Sequence, residues 1–145
     1  MALLTISARR AVSSTPPETP PEADPRSWLT KAAGDLEVAE RILDVEHLAW
    51  AAGFHLQQAA EKGLKAVLVA RGCFPPKVHD LKTLSDEVAK LEPALAGWDA
   101  RLVPLDAYAV AERYPTAELR GCDPRPHAET VRQLLAAVRS IVVAA

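Results

Sequence analysis

Charged and amide side chains recur at helical spacing in the middle of the chain. Gln58, Glu61 and Lys65 lie three and four residues apart, with Lys62 beside them, so a helix would place the first three on one face. Glu61 followed by Lys65 is also the favourable order for an i,i+4 ion pair. The pattern has two interpretations. It is either a solvated helix face or a structural polar face whose groups need partners from the bundle, a second subunit or a ligand.

Small residues crowd the same stretch and favour the second interpretation. They are Ala52, Gly53, Ala59, Ala60, Gly63 and Ala66. Such small side chains imply that another helix packs very closely against this one. Polar groups beside a seam of this kind are shielded from water and need hydrogen-bond partners.

The sequence has no pattern typical of a metal site or a bound cofactor. Cys73 and Cys122 show no CxxC or Cys/His spacing, and His47 and His55 have no ligand spacing with a cysteine or an acidic residue. We therefore expect no metal and no cofactor. Two cysteines are too few for a disulfide scaffold, which favours a reduced, cytoplasmic protein.

Apolar periodicity predicts the helices that must position these residues. Apolar residues recur at three- and four-residue steps in four segments: 26–46, 49–70, 79–91 and 124–143. A further segment, 98–114, contains Pro104, where we expect a kink or a later helix start. Strand patterns are nearly absent. The sequence therefore predicts an all-α, up-and-down bundle of four to five helices.

Length and composition limit the class of protein. The chain has 145 residues, of which 49% are hydrophobic and 25% charged, and a net charge of -2. These values fit one soluble domain and exclude a polybasic tail as the main means of binding nucleic acid. Residues 1–25 hold five of the 12 prolines and are expected to be disordered, which leaves 26–145 as the folded domain. No run is long enough to span a membrane.

Four motifs together resemble the HEPN domain family (higher eukaryotes and prokaryotes nucleotide-binding). They are residues 28–36 (WLTKAAGDL), 54–66 (FHLQQAAEKGLKA), 79–84 (HDLKTL) and 111–115 (AERYP). The resemblance covers residues 26–143 in the family's order, and the joint pattern is far more specific than any one motif. It implies a HEPN-like helical bundle, commonly a homodimer, that binds nucleotide or RNA. It also implies a nucleotidyltransferase partner in a toxin-antitoxin or regulatory pair.

The candidate nucleotide- or RNA-binding residues that follow from this resemblance are Lys65, His79, Arg113 and Tyr114. His79 and its neighbour Lys77 would lie near a phosphate. In the alternative, which we favour, His79 only holds its loop through a hydrogen bond, while Asp80 caps the next helix. Tyr114 is also a conceivable site for the attachment of AMP by the partner.

The resemblance also implies an alternative function, a metal-independent ribonuclease toxin. Its active members carry an arginine and a histidine separated by four to six residues, and Arg120 and His127 fit with six residues between them. The histidine would move a proton of the ribose 2′-hydroxyl while the arginine holds the phosphate, and the product would be a 2′,3′-cyclic phosphate. Gly121 and Glu129 stand where active members carry a polar residue and a tyrosine. We therefore favour a chance pairing and place this alternative second.

Overall fold

The structure is a computed structural model that describes residues 18–115, 119 and 121–144. Its α-helices are α1 (Pro25–Ile42), α2 (Ala49–Ala70), α3 (Leu81–Leu91), α4 (Asp99–Leu102), α5 (Asp106–Arg113) and α6 (Arg125–Ala144). Short 3-10 helices lie at Pro21–Ala23, Glu46–Leu48, Pro93–Leu95 and Val103–Leu105. The described residues include no strand, so the prediction of an all-α helical bundle is confirmed.

Aspartates fix the starts of three of these helices. Asp24 accepts a hydrogen bond from the Arg26 amide at the start of α1, and Asp80 accepts one from the Thr83 amide at the start of α3, each at 2.9 Å. Asp123 accepts the Arg125 amide at 3.0 Å where α6 begins. Each carboxylate satisfies an amide that has no partner within its own helix, which is why these helices start where the sequence predicts, to within two residues.

Two helices differ from their predicted extents. α1 ends at Ile42 rather than Glu46, because turn hydrogen bonds from Val45 to Ile42 and from Leu48 to Val45 lead the chain into α2. Pro104 divides the predicted segment 98–114 into α4, the 3-10 helix Val103–Leu105 and α5. Proline has no amide hydrogen and so cannot continue the hydrogen-bond ladder, and the expected interruption at Pro104 is confirmed.

The described part of the chain begins before the predicted domain boundary. The 3-10 helix Pro21–Ala23 precedes α1, and the Glu22 carbonyl accepts a hydrogen bond of 3.0 Å from the Trp28 indole N–H. The first turn of the folded domain therefore extends to residues that the sequence assigns to the proline-rich extension. Residues 1–17 lie outside the described residues, and their predicted disorder stays a prediction.

α2 is the central helix, and it packs against α1, α3, α5 and α6. Its glycines allow this close packing. A Cβ atom added at Gly53 would overlap the ring of Tyr108 on α5, and one added at Gly63 would lie 2.6 Å from Leu135 on α6. The close helix packing predicted from the small residues is therefore present on two sides of α2. In the part of the chain that the structure describes, no helix is long and apolar enough to cross a bilayer.

Candidate functional site

The polar face of α2 is buried in the bundle. Glu61 is 5% exposed and Lys65 4%, so the interpretation as a solvated face is wrong for these two side chains, while Gln58 is half-buried. The neighbouring Gln57, which was not part of the predicted face, is 0% exposed. Buried polar and charged groups are costly unless they are paired. Their partners come from α1, from the loop before α3 and from α5.

The Glu61 carboxylate is the centre of this hydrogen-bond network. Its Oε1 atom accepts from Lys65 Nζ at 3.0 Å and from the ring Nδ1 of His79 at 2.9 Å. Gln58 Nε2 lies 3.4 Å from Oε2. The Lys65 ammonium also lies 5.6 Å from the ring centroid of Trp28 on α1, within cation-π distance. Glu61 therefore connects α2 to the start of α3, while Lys65 connects it to α1.

Two residues of α2 fix the position of His79. Because a carboxylate oxygen can only accept, the His79 Nδ1 atom carries the proton in its bond to Glu61, and Nε2 is left as an acceptor in the neutral ring. Gln57 Nε2 donates to the His79 backbone carbonyl at 3.1 Å. The His79 side chain is nevertheless 63% exposed. The ring is thus held by Glu61 through Nδ1, while most of the side chain is exposed to solvent.

Asp106 joins α5 to the same network. Its carboxylate accepts from the Leu81 amide at 3.1 Å and from Gln57 Nε2 at 3.3 Å. Burial raises the pKa of the Asp106 carboxyl, and the nearby acidic side chains of Asp80 and Glu61 add to the increase. The two hydrogen bonds lower it, but burial is the largest effect.

A cavity of about 200 Å³ lies over this network, between α2, α5 and His79. Its lining consists of Phe54, Gln57, Gln58, Glu61, His79, Ala109, Glu112 and Arg113. Of the predicted binding residues, the structure brings His79 and Arg113 to this cavity. The Lys65 ammonium is bound to Glu61, so it could meet an external phosphate only if that ion pair opened. Tyr114 follows α5, is 60% exposed and is not part of the lining.

Lys62 takes part in a second, separate polar cluster. Asp35 on α1 accepts from Lys62 Nζ and, at 2.9 Å, from His55 Nδ1. The three side chains are only partly exposed and lie at the seam between α1 and α2. None of them lines the cavity. Lys62 therefore belongs to a structural pair with α1, apart from Gln58 and Glu61.

The predicted ribonuclease pair is described only in part. Arg120 lies outside the described residues, so its distance to His127 stays untested. His127 lies in the first turn of α6, half-buried, with its amide bonded to the Pro124 carbonyl at 3.0 Å. Near it, the Arg125 guanidinium holds the pKa of the Asp123 carboxyl below its usual range.

Sequence reasoning missed several residues of the cavity lining and of the hydrogen-bond network beside it. Gln57 stands four residues before Glu61, the same step that separates Glu61 from Lys65, so this spacing was a usable signal. Asp106 and Glu112 carried no such signal, because their place depends on how α5 packs against α2. Within the described residues, no three His, Cys, Asp or Glu side chains gather as a potential metal site.

In a comparison with protein families, residues 25–144 of the chain match the HEPN domain. The chain belongs to the HEPN domain family. The resemblance inferred from the motifs is thereby confirmed, and the matched residues run from the first residue of α1 to the last of α6. Neither the curated proteins nor the solved structures gave a significant match to this HEPN domain.

Proposed function

We propose that this HEPN domain binds a nucleotide or RNA in the cavity between α2 and α5. The observation that carries the proposal is that His79 and Arg113 line one small cavity together with the ring of Phe54. A guanidinium and an imidazole suit a phosphate, and an aromatic ring can stack on a base. Gln58 Nε2 is directed to Gln57 and Glu61, which leaves the Gln58 carbonyl oxygen for a donor on a base edge.

The cavity lining carries the Arg113 guanidinium together with the carboxylates of Glu61 and Glu112, so we place the phosphate at Arg113. The two carboxylates would repel an anion, but Lys65 lies 3.0 Å from Glu61 and opposes its charge. Lys65 thus supports the site through Glu61, while Arg113 and His79 provide the direct contacts. Tyr114, adjacent to Arg113 and exposed, is a further contact for a ligand longer than one nucleotide.

Binding of AMP and of a short labelled RNA to the full chain tests the proposal. The substitution Arg113→Ala should weaken binding about tenfold or more, since a hydrogen bond to a charged group contributes roughly 1.5–3 kcal/mol. The control is Arg41→Ala, which removes an equal charge from α1, where Arg41 pairs only with the exposed Glu37 among the described residues. Equal loss in both variants would indicate general electrostatic attraction and contradict a site in the cavity.

We also propose that the domain works as a homodimer beside a nucleotidyltransferase in the cytoplasm, as a toxin-antitoxin-like pair. Exposed apolar side chains on α2, on α5 and directly after α5 support a protein contact: Trp50 is 45% exposed, Val110 52% and Tyr114 60%. Light scattering should give the mass of a dimer for the parent chain and the mass of a monomer for Val110→Asp. A monomeric parent chain would contradict the dimer, and failure of a co-expressed nucleotidyltransferase to co-purify would contradict that partner.

A further inference from the structure

We propose that Glu112 and Gln58 make the cavity between α2 and α5 selective for guanine. The inference rests on the proposed function, because it takes this cavity as the place where a nucleotide binds. It goes beyond that function by naming the base and the two side chains that distinguish it from the other bases. Both side chains line the cavity, Gln58 from α2 and Glu112 from α5.

The amide of Gln57 sets the direction of a short chain of hydrogen bonds. Its Nε2 atom lies 3.1 Å from the His79 backbone carbonyl and 3.3 Å from Oδ1 of Asp106, and both of these oxygens are acceptors. The NH2 group of Gln57 must therefore face them, because the opposite orientation of the amide would place oxygen against oxygen. The Gln57 carbonyl oxygen is thereby left to accept from Gln58.

Gln58 continues this chain of hydrogen bonds. Its Nε2 atom donates to Oε1 of Gln57 at 2.8 Å and lies 3.4 Å from Oε2 of Glu61. Both neighbours are acceptors, so the NH2 group of Gln58 is committed to them. Among the described residues, no donor binds the Gln58 carbonyl oxygen. Gln58 therefore offers a base an acceptor and not a donor.

Glu112 adds a carboxylate to the same lining. It is exposed, and no residue in the described part of the chain donates a hydrogen bond to its carboxylate. In the proposed function, Arg113 and His79 contact the phosphate, so the base meets the acceptors of Gln58 and Glu112. The negative charge of Glu112 would repel the phosphate, which also favours the base at this side of the cavity.

Guanine is the base whose edge matches a set of acceptors. It offers N1–H and the N2 amino group side by side, and a carboxylate can accept one hydrogen from each. The second hydrogen of the N2 amino group is then free for the carbonyl oxygen of Gln58. Adenine and cytosine carry an unprotonated ring nitrogen beside their amino group, and uracil carries its N–H between two carbonyl oxygens. Each of these bases would therefore turn an acceptor towards the Glu112 carboxylate.

Calorimetric binding of GMP, IMP and AMP to the full chain tests the selectivity. GMP should bind at least about tenfold more tightly than AMP, because a bidentate contact discriminates between bases by about this factor. AMP keeps the phosphate contacts and the stacking on Phe54, so it still binds. IMP, which has N1–H but no N2 amino group, should lie between the two.

The outcomes separate this inference from the proposed function. If GMP binds no more tightly than AMP, and Arg113→Ala weakens both, the selectivity is wrong while the cavity stays the nucleotide site. If none of the three nucleotides binds, the proposed function fails and the selectivity fails with it.

Glu112→Gln tests the contact with the base. Glutamine has a similar size but only one acceptor oxygen, so the affinity for GMP should fall to within about threefold of that for AMP. The affinity for AMP should not fall, because the variant removes a negative charge from the phosphate's surroundings. Glu37→Gln is the matched control: it removes an equal charge from α1, outside the cavity lining, and should keep the full preference. Equal losses of GMP and AMP affinity in Glu112→Gln would contradict the contact.

Gln58→Met tests the second contact. Methionine has a similar volume but no carbonyl oxygen, so the ratio of GMP to IMP affinity should fall about threefold or more, the effect of one hydrogen bond. The affinity for IMP should stay the same, because IMP has no amino group for Gln58 to bind. An equal loss of affinity for GMP and IMP would contradict the assignment of Gln58 to the N2 amino group.

Discussion

Glu61 on α2 holds the ring of His79, 18 residues later in the chain, through a hydrogen bond of 2.9 Å between Oε1 and Nδ1. This contact joins the central helix to the loop that precedes α3. It also lets a buried carboxylate determine the orientation of an exposed imidazole. Local helix geometry explains the pairing of Glu61 with Lys65, but only the tertiary fold explains the contact with His79.

The substitution Glu61→Gln should destabilise the protein, because it leaves the buried Lys65 ammonium without its carboxylate. Removal of one partner of a buried ion pair costs roughly 3–5 kcal/mol of unfolding free energy. Urea unfolding followed by circular dichroism measures the change. The double variant Glu61→Gln with Lys65→Met removes both charges and should recover most of the loss. If it recovered nothing, the cost would not come from an unpaired Lys65.

The substitution Gly53→Ala should also destabilise the fold, because the new methyl group would overlap the ring of Tyr108 on α5. Overpacking of a core of this kind costs about 1–3 kcal/mol, which thermal unfolding would detect. Gly34→Ala is the matched control, since Gly34 lies in α1 with nothing within 4 Å of its added Cβ. It should stabilise the protein by roughly 0.5–1 kcal/mol. Equal effects of the two variants would contradict the close approach of α5 to α2.

The substitution Asp106→Asn should change how stability depends on pH. Burial raises the pKa of the Asp106 carboxyl in the folded state above its ordinary value of 3.8. At a pH between 3.8 and this raised pKa, the folded state therefore binds more protons than the unfolded state. This group therefore adds to the unfolding free energy as the pH falls from its raised pKa to 3.8, and Asp106→Asn loses that contribution.

Urea unfolding of both proteins between pH 7 and pH 4 measures this difference. The stability of the parent relative to Asp106→Asn should increase as the pH falls, and it should be constant near pH 7. The lowered pKa values of Asp80, Asp99 and Asp123 act in the opposite direction, but they are common to both proteins and cancel. A relative stability that decreases on acidification would contradict the raised pKa.

The helices could be predicted from the sequence because their signals are local. Apolar spacing, the capping aspartates and the interruption at Pro104 each act within a few residues. The HEPN motifs then indicated the family. The sequence left open whether Glu61 and Lys65 lie on a solvated face or are buried with partners. Their burial could not be decided from the sequence, because the partner His79 belongs to another segment.

The cavity itself was beyond prediction from local patterns. Arg113, His79 and Phe54 meet only because α5 packs against α2, and that contact depends on Gly53 and Tyr108. α5 begins after the 3-10 helix Val103–Leu105, and apolar periodicity does not predict how α5 then packs against α2. The residues that line the cavity therefore come from three separate segments, and a linear pattern does not connect them.

The most direct test of the account is a titration of the isotopically labelled full chain with AMP, followed by amide chemical-shift changes. We predict that the saturable shifts gather at Phe54, Gln58, His79 and Arg113, around the cavity between α2 and α5. The same titration of Arg113→Ala should require about tenfold more AMP. An absence of shifts at these residues, or shifts confined to the groove of α1 and α6 near Arg26 and Arg139, would contradict the account.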